Sequence, residues 1–284
     1  MSSANDSRLL PLDPTRAAEA LRWWVRAGVN EALDETPHDR FAESVGADRR
    51  AGPNTVAREP SPTVVEAGAP ERPSDGGKPP EAAEVAARGL AEAATDLETL
   101  RSAMAEFDGC ALKRTATKLV FADGVAGSRV MLVGEAPGGD EDRIGRPFVG
   151  RAGQLLDRML AAVGLDRQGV YIANVVPWRP PGNRTPTLQE TQACLPFIRR
   201  QIDLADPEFL VCLGGSAVQT LLGVHGGITR IRGSWFDYQR ESGRPIRALA
   251  MFHPAYLLRQ PAQKRLAWAD MRALAKALKT SSPV

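Results

Sequence analysis

The chain has 284 residues, 43% of them hydrophobic, and a formal net charge of +2. That length exceeds what one domain usually needs, and three cysteines (Cys110, Cys194, Cys212) with no CxxC pair exclude a disulfide framework. No apolar run approaches the roughly 18 residues of a membrane span, and Glu19, Arg22 and Arg26 interrupt the apolar residues near the start where a signal peptide needs a core, so a soluble, cytoplasmic protein is expected.

The charge is uneven along the chain. Residues 1–99 hold 11 Lys and Arg against 18 Asp and Glu, a balance of −7, whereas residues 100–284 hold 25 against 16, a balance of +9. A basic second half suits a polyanionic partner. Twenty of its 25 basic residues are Arg, the side chain built for bidentate phosphate contacts.

Residues 13–34 read as a helix, with Asp13 as cap and Pro14 in the first turn. Trp23 and Trp24 on it either pack on the main domain or dock on a partner protein. Residues 1–34 are therefore set apart as a helical segment. Residues 35–80 scatter prolines among Glu, Asp, Arg, Ser and Gly with few large apolar residues, the composition of a disordered linker. The globular domain is expected over residues 81–284. It opens on an Ala- and Glu-rich stretch, 81–106, that reads as one long helix or two.

Four strands are predicted at Arg129–Gly134, Val170–Val175, Phe209–Gly214 and Ile246–Phe252. The first three are continuously apolar, as in a parallel sheet covered on both faces. Helical patterns fall between and after them, at Gln154–Val163, Leu188–Ile202 with Thr187 as cap, Ser216–Leu222 and Pro261–Leu278. The alternation predicts an α/β fold, a three-layer α/β/α sandwich with a central four-stranded parallel sheet. Ligands of such sheets bind beyond the carboxyl ends of the strands. Polar clusters fall there: Gly134–Asp142, Asn174 and His253.

Each cluster admits a structural and a chemical reading. GEAPGGDED (Gly134–Asp142) lacks the GK[ST] ending of a phosphate cradle. It is a solvated acidic turn, a metal site of Asp140, Glu141 and Asp142, or a place where a carboxylate positions water or steadies a cation. Phe148 in GRPFVG is a core anchor or a face on which a flat base stacks. Asn174 caps a strand end, or reads a pyrimidine edge with one donor and one acceptor. His253 in FHPAYLLR can hydrogen-bond an anion forming on a leaving group. Tyr256, Leu257 and Leu258 before Arg259 either pack or act as a wedge beside a phosphate contact. Arg179 and Arg184 in WRPPGNRTP, with Arg230 and Arg232 in ITRIRG, suit backbone phosphates.

These motifs, in order over residues 107–278, resemble the uracil-DNA glycosylase superfamily, above all its family 4 branch, which usually carries an iron–sulfur cluster. The resemblance implies a monofunctional glycosylase that starts base-excision repair. It would flip deoxyuridine out of single- or double-stranded DNA, hydrolyse the N-glycosidic bond, release uracil and leave an abasic site. By motif position, Glu135, Ala136 and Gly138 line the uracil pocket, Phe148 stacks on the base, Asn174 reads its edge and His253 bonds the leaving uracilate. Glu141 aligns with a family acidic residue that assists water attack or the cation, while Ala136 stands where the best-known branch has its water-activating Asp. Arg179, Arg184, Arg232, Tyr256, Leu257, Leu258 and Arg259 fall at DNA-facing positions. Of four cluster-ligand positions, Cys110 and Cys194 remain, whereas Phe107 and Trp178 replace the other two, so no metal and no cofactor are expected. A sister branch traps its product covalently through a histidine after the second strand. PWRPPGNRTP has none, so turnover is expected, by a monomer. A non-catalytic binder of damaged DNA with a retained pocket is the alternative.

Overall fold

The computed structural model describes residues 80–241 and 243–281. The helical segment expected at 1–34 and the linker expected at 35–80 lie outside them, save Pro80, which opens the first helix. The Ala- and Glu-rich stretch forms two helices, α1 (Pro80–Ala93) and α2 (Leu97–Glu106). The break is chemical. Asp96 accepts from the Thr99 amide at 2.8 Å, and the Asp96 amide donates back to the Thr99 hydroxyl at 3.2 Å, a reciprocal cap that starts a new helix.

The sheet has six strands: β1 (Asp123–Gly124), β2 (Val130–Gly134), β3 (Tyr171–Asn174), β4 (Phe209–Leu213), β5 (Trp235–Tyr238) and β6 (Ile246–Met251), in the order β1-β3-β2-β4-β6-β5. The four predicted strands are its parallel centre. The expected four-stranded sheet is corrected by two antiparallel edges, β1 on β3 and β5 on β6. β1 spans only two residues, Asp and Gly, and β5 is buried only at Tyr238, so neither shows the apolar run of a central strand.

Residues alternate across the sheet with period two. Met131, Val133, Tyr171, Ala173, Leu210 and Cys212 pack on one face, under α1, α2, α5 (Leu188–Ala205) and α6 (Gly215–Leu222). Leu132, Ile172, Val211, Leu249 and Met251 pack on the other, against α4 (Arg151–Ala161) and α9 (Lys264–Thr280). The result is the predicted α/β/α sandwich. Each fully buried Leu, Ile or Val contributes roughly 1.5–3 kcal/mol of burial energy. Ala83, Ala87 and Ala91 on α1, and Ala94 just past its end, are buried, small enough for close approach to α5. Arg200 of α5 donates twice to the Ala94 carbonyl, at 3.0 and 2.7 Å. No helix among the described residues is long and apolar enough to cross a membrane.

β2 pairs in parallel with β3 on one side and β4 on the other, so the order in which strands are added to the sheet switches sides at β2. Gly134, Asn174, Leu213 and Met251 end their strands at the same edge. Short helices follow two of these ends, α3 (Gly139–Ile144) and α8 (Pro254–Arg259), and α7 (Ile228–Ile231) precedes β5. A ligand site is expected at such a switch point.

Candidate active site

A cleft of about 610 Å³ opens there. Among the predicted residues, Glu135, Ala136, Gly138, Glu141, Phe148 and Asn174 line one part of it. Arg184, His253, Tyr256 and Arg259 line another. Segments far apart in sequence thus meet because parallel strands deliver all their carboxyl ends to one edge.

Phe148 is buried and adopts a left-handed backbone, φ 54°, which costs an L-residue about 1–2 kcal/mol. Its surroundings impose that conformation. Glu141 accepts from the Val149 and Gly150 amides at 2.9 and 2.8 Å through Oε1, and from the Gly138 amide at 3.1 Å through Oε2. A Cβ on Gly153 would fall 1.6 Å from the Phe148 carbonyl oxygen, so only glycine lets α4 pass so close. The Phe148 ring lies 5.4 Å from the His253 ring, tilted by 32°.

Asn174 is 4% exposed, yet its Oδ1 has no hydrogen-bond partner within the protein. A Cβ on Gly134 would stand 2.6 Å from that oxygen and 2.7 Å from the Phe148 ring, so the missing side chain keeps ring and amide on either side of one narrow gap. A buried amide oxygen left unpaired costs about 1–3 kcal/mol, which a bound donor recovers.

His253 caps α8, and its Nδ1 accepts from the Ala255 amide at 3.1 Å. That bond assigns the proton to Nε2. Burial, with the charge of Arg259 added, lowers the imidazole from 6.5 to about 4. His253 is therefore a neutral donor at neutral pH.

Three expectations change. Leu257 is fully buried against Leu155, Phe252 and Ala267, because consecutive residues of a helix cannot all face outward; Tyr256 and Leu258 remain half-buried. Arg232 is no free phosphate contact: its Nε donates to Oδ2 of buried Asp270 at 2.8 Å, and its guanidinium also bonds the Leu266 carbonyl. Asp142, offered with Asp140 and Glu141 as a metal site, accepts from the Thr117 and Lys118 amides at 2.7 and 3.2 Å. Arg179 donates to Asn183 at 2.8 Å, and Arg184 grips Glu190 with two bonds of 2.8 and 2.6 Å while staying exposed. Arg259 is exposed at the cleft mouth.

Sequence reasoning passed over Gly214, Gly215 and Ser216, which line the cleft where β4 turns into α6. The signal was present as LGGS after an apolar strand. Gly153 and Arg167 carried no such signal, since their work is done on the Phe148 backbone.

Phe107, Cys110, Trp178 and Cys194 are all buried in the core on one face of the sheet. The two thiols hydrogen-bond each other, and burial pushes that of Cys194 well up. Phe107 packs edge-on to Phe197 at 5.0 Å. Cys212 lies alone in β4, its thiol pushed to about 12 by burial.

A family model described as the uracil DNA glycosylase superfamily matches residues 121–272. The chain is 41% identical over 164 residues to a type-4 uracil-DNA glycosylase of Thermotoga maritima, covering 57% of this chain and 83% of the relative. It is 41% identical over 156 residues to a type-4 uracil-DNA glycosylase of Archaeoglobus fulgidus (54% and 78%) and 39% identical over 171 residues to one of Pyrobaculum aerophilum (59% and 87%).

These relatives overturn the expected absence of a cofactor. Type 4 is the branch that the resemblance associates with an iron–sulfur cluster, so two replaced residues do not establish a cluster-free protein. The four positions here offer two thiols and two aromatic rings, a donor set that does not match four-thiolate ligation. The chemistry derived from the cleft does not pass through such a group. The family match spans more than half of the chain, in the same sheet that builds the cleft, and the chain belongs to the uracil DNA glycosylase superfamily.

Proposed function

We infer that the protein is a monofunctional uracil-DNA glycosylase, which hydrolyses the N-glycosidic bond of deoxyuridine in DNA and leaves an abasic site. The observation that carries the reading is the unpartnered Oδ1 of Asn174 across a narrow gap from the Phe148 ring. A uracil edge carries an N–H donor beside carbonyl acceptors, so the Asn174 amide can accept from the one and donate to the other. Phe148 supplies the stacking face. His253, neutral and protonated at Nε2, donates to the oxygen on which the leaving uracilate gathers charge. A neutral donor suits an anion that forms only as the bond breaks, because it gains most in the transition state.

Glu141 takes a different part from the catalytic one expected of it. Both its oxygens hold backbone amides, so it shapes the loop around Phe148 rather than accepting a proton from water. Glu135 is the other carboxylate on the cleft wall. Arg179, Arg184 and Arg259, with Tyr256 and Leu258, form the DNA-facing rim. The catalytic domain runs over residues 81–284 after a linker, and the protein works as a cytoplasmic monomer.

The test is uracil release from a labelled duplex carrying U opposite G, followed by alkali to cut the abasic site. Product at catalytic protein levels is expected. His253→Ala and Asn174→Ala should each slow the single-turnover step by about 100-fold or more while the protein stays folded. No product from wild type with DNA binding retained would leave the non-catalytic binder. Wild-type rates in both variants would overturn the residue roles.

A further inference from the structure

We propose that Arg167 is a positioning residue of the glycosylase reaction, acting through the Phe148 backbone to hold the stacking ring in place. Arg167 opens a short 3-10 turn (Arg167–Gly169) between α4 and β3 and does not line the cleft. Asp166 fixes that turn by accepting from the Gln168 and Gly169 amides at 2.9 and 3.0 Å. The Arg167 side chain is 22% exposed, and each of its three guanidinium nitrogens is hydrogen-bonded. Its Nε donates to Asp157 of α4 at 2.8 Å, and one terminal nitrogen pairs with Asp123 of β1. The same nitrogen reaches the Pro147 carbonyl at 3.3 Å, and the other donates to the Phe148 carbonyl.

Two backbone carbonyls taken by one planar fork define an orientation as well as a contact. They are the carbonyls on either side of the left-handed residue, since Phe148 lies between the Pro147 carbonyl and its own. Glu141 takes the next two amides from the other direction. Arg167 and Glu141 thus clamp three successive peptide units, and the ring has little freedom to leave the gap opposite Asn174. Asp123 and Asp157 hold the guanidinium in register from two different elements. A purely architectural arginine would be satisfied by those carboxylates alone and would not need the carbonyls of the strained turn.

The inference rests on Phe148 stacking on the base, and the experiment separates the two. Arg167→Met, Arg167→Lys, Phe148→Leu and the Arg167→Met/Phe148→Leu double variant are compared with wild type. The quantities are melting temperature, the inhibition constant of free uracil, duplex affinity, and the single-turnover release rate from saturating U:G duplex. In folded Arg167 variants the uracil constant should rise about tenfold and the release rate should fall by a similar factor, with duplex affinity within about twofold. The double variant should be no worse than Phe148→Leu alone. Uracil inhibition and release within about twofold of wild type in a folded variant would overturn the inference, as would a full Arg167→Met effect on the Phe148→Leu background. Should the Met variant not fold, the Lys variant decides, because it keeps a cation for Asp123 and Asp157 but has no fork for the carbonyls. Phe148→Leu without effect would overturn the stacking reading and this inference with it. Loss in Phe148→Leu alone would overturn this inference and leave stacking intact.

Discussion

A carboxylate and a glycine shape this site through the backbone around Phe148. Glu141 spends both oxygens on backbone amides, and Gly153 supplies empty space beside the Phe148 carbonyl. Gly153→Ala should therefore destabilise the protein by about 1–3 kcal/mol in urea unfolding and weaken uracil inhibition as well, because the displaced atom belongs to Phe148. His253 makes a second residue-scale prediction. Its folded value near 4 lies below the ordinary 6.5, so the unfolded chain takes up the proton earlier as pH falls. The stability that His253 contributes is complete above about 6.5 and is lost between there and about 4. His253→Asn should flatten the wild-type slope of unfolding free energy across that window, and an unchanged slope would contradict the assignment. The wild-type release rate should not fall near pH 6.5 on account of His253. Asn174 and His253 were legible in the sequence because strand ends mark themselves by a change from apolar to polar. Arg232 and Leu257 were misread because sequence adjacency to a motif says nothing of which way a side chain turns. Asp270, the partner of Arg232, is 38 residues further along the chain.

At the scale of elements, apolar runs and caps were readable, while short and one-sided pieces were not. β2, β3 and β4 are buried along their whole length and stand out as continuous runs, and β6 is interrupted only by exposed Arg247. α3 and α8 have six residues each, and α3 begins among glycines, so helical periodicity had no length in which to show itself. α5 begins at Leu188 after Thr187, as its capping pattern predicts, and Thr187 accepts from the Glu190 amide at 3.2 Å. The cap has a second duty, because Glu190 also holds Arg184 at the cleft rim. Thr187→Ala should cost about 1 kcal/mol of stability, read from chemical denaturation. Uracil inhibition should stay at its wild-type value, since the pocket floor does not depend on α5 capping.

On the scale of the whole molecule, charge and topology act together. The basic balance of residues 100–284 predicts DNA affinity that falls linearly in log–log form with salt, with a slope of about −0.9 per phosphate contact on duplex. Arg259→Ala should reduce that slope by about one contact, measured by fluorescence anisotropy between low and moderate salt. Arg232→Ala should leave the slope unchanged and instead lower the melting temperature, because it strands the buried carboxylate of Asp270. The general architecture was legible because strands and helices alternate. The edges of the sheet were not, because pairing partners rather than side chains make β1 and β5 strands.

The parallel centre of the sheet also sets an order of arrival. The loop carrying Glu135 is synthesised more than a hundred residues before the strand that delivers His253. β6 must slot in beside β4 before the imidazole can face Phe148. On the roles proposed for these residues, a growing or truncated chain that stops short of residue 253 carries Phe148 and Asn174 but no donor for the leaving base. Such a chain should therefore release uracil at least about 100-fold more slowly than the finished domain.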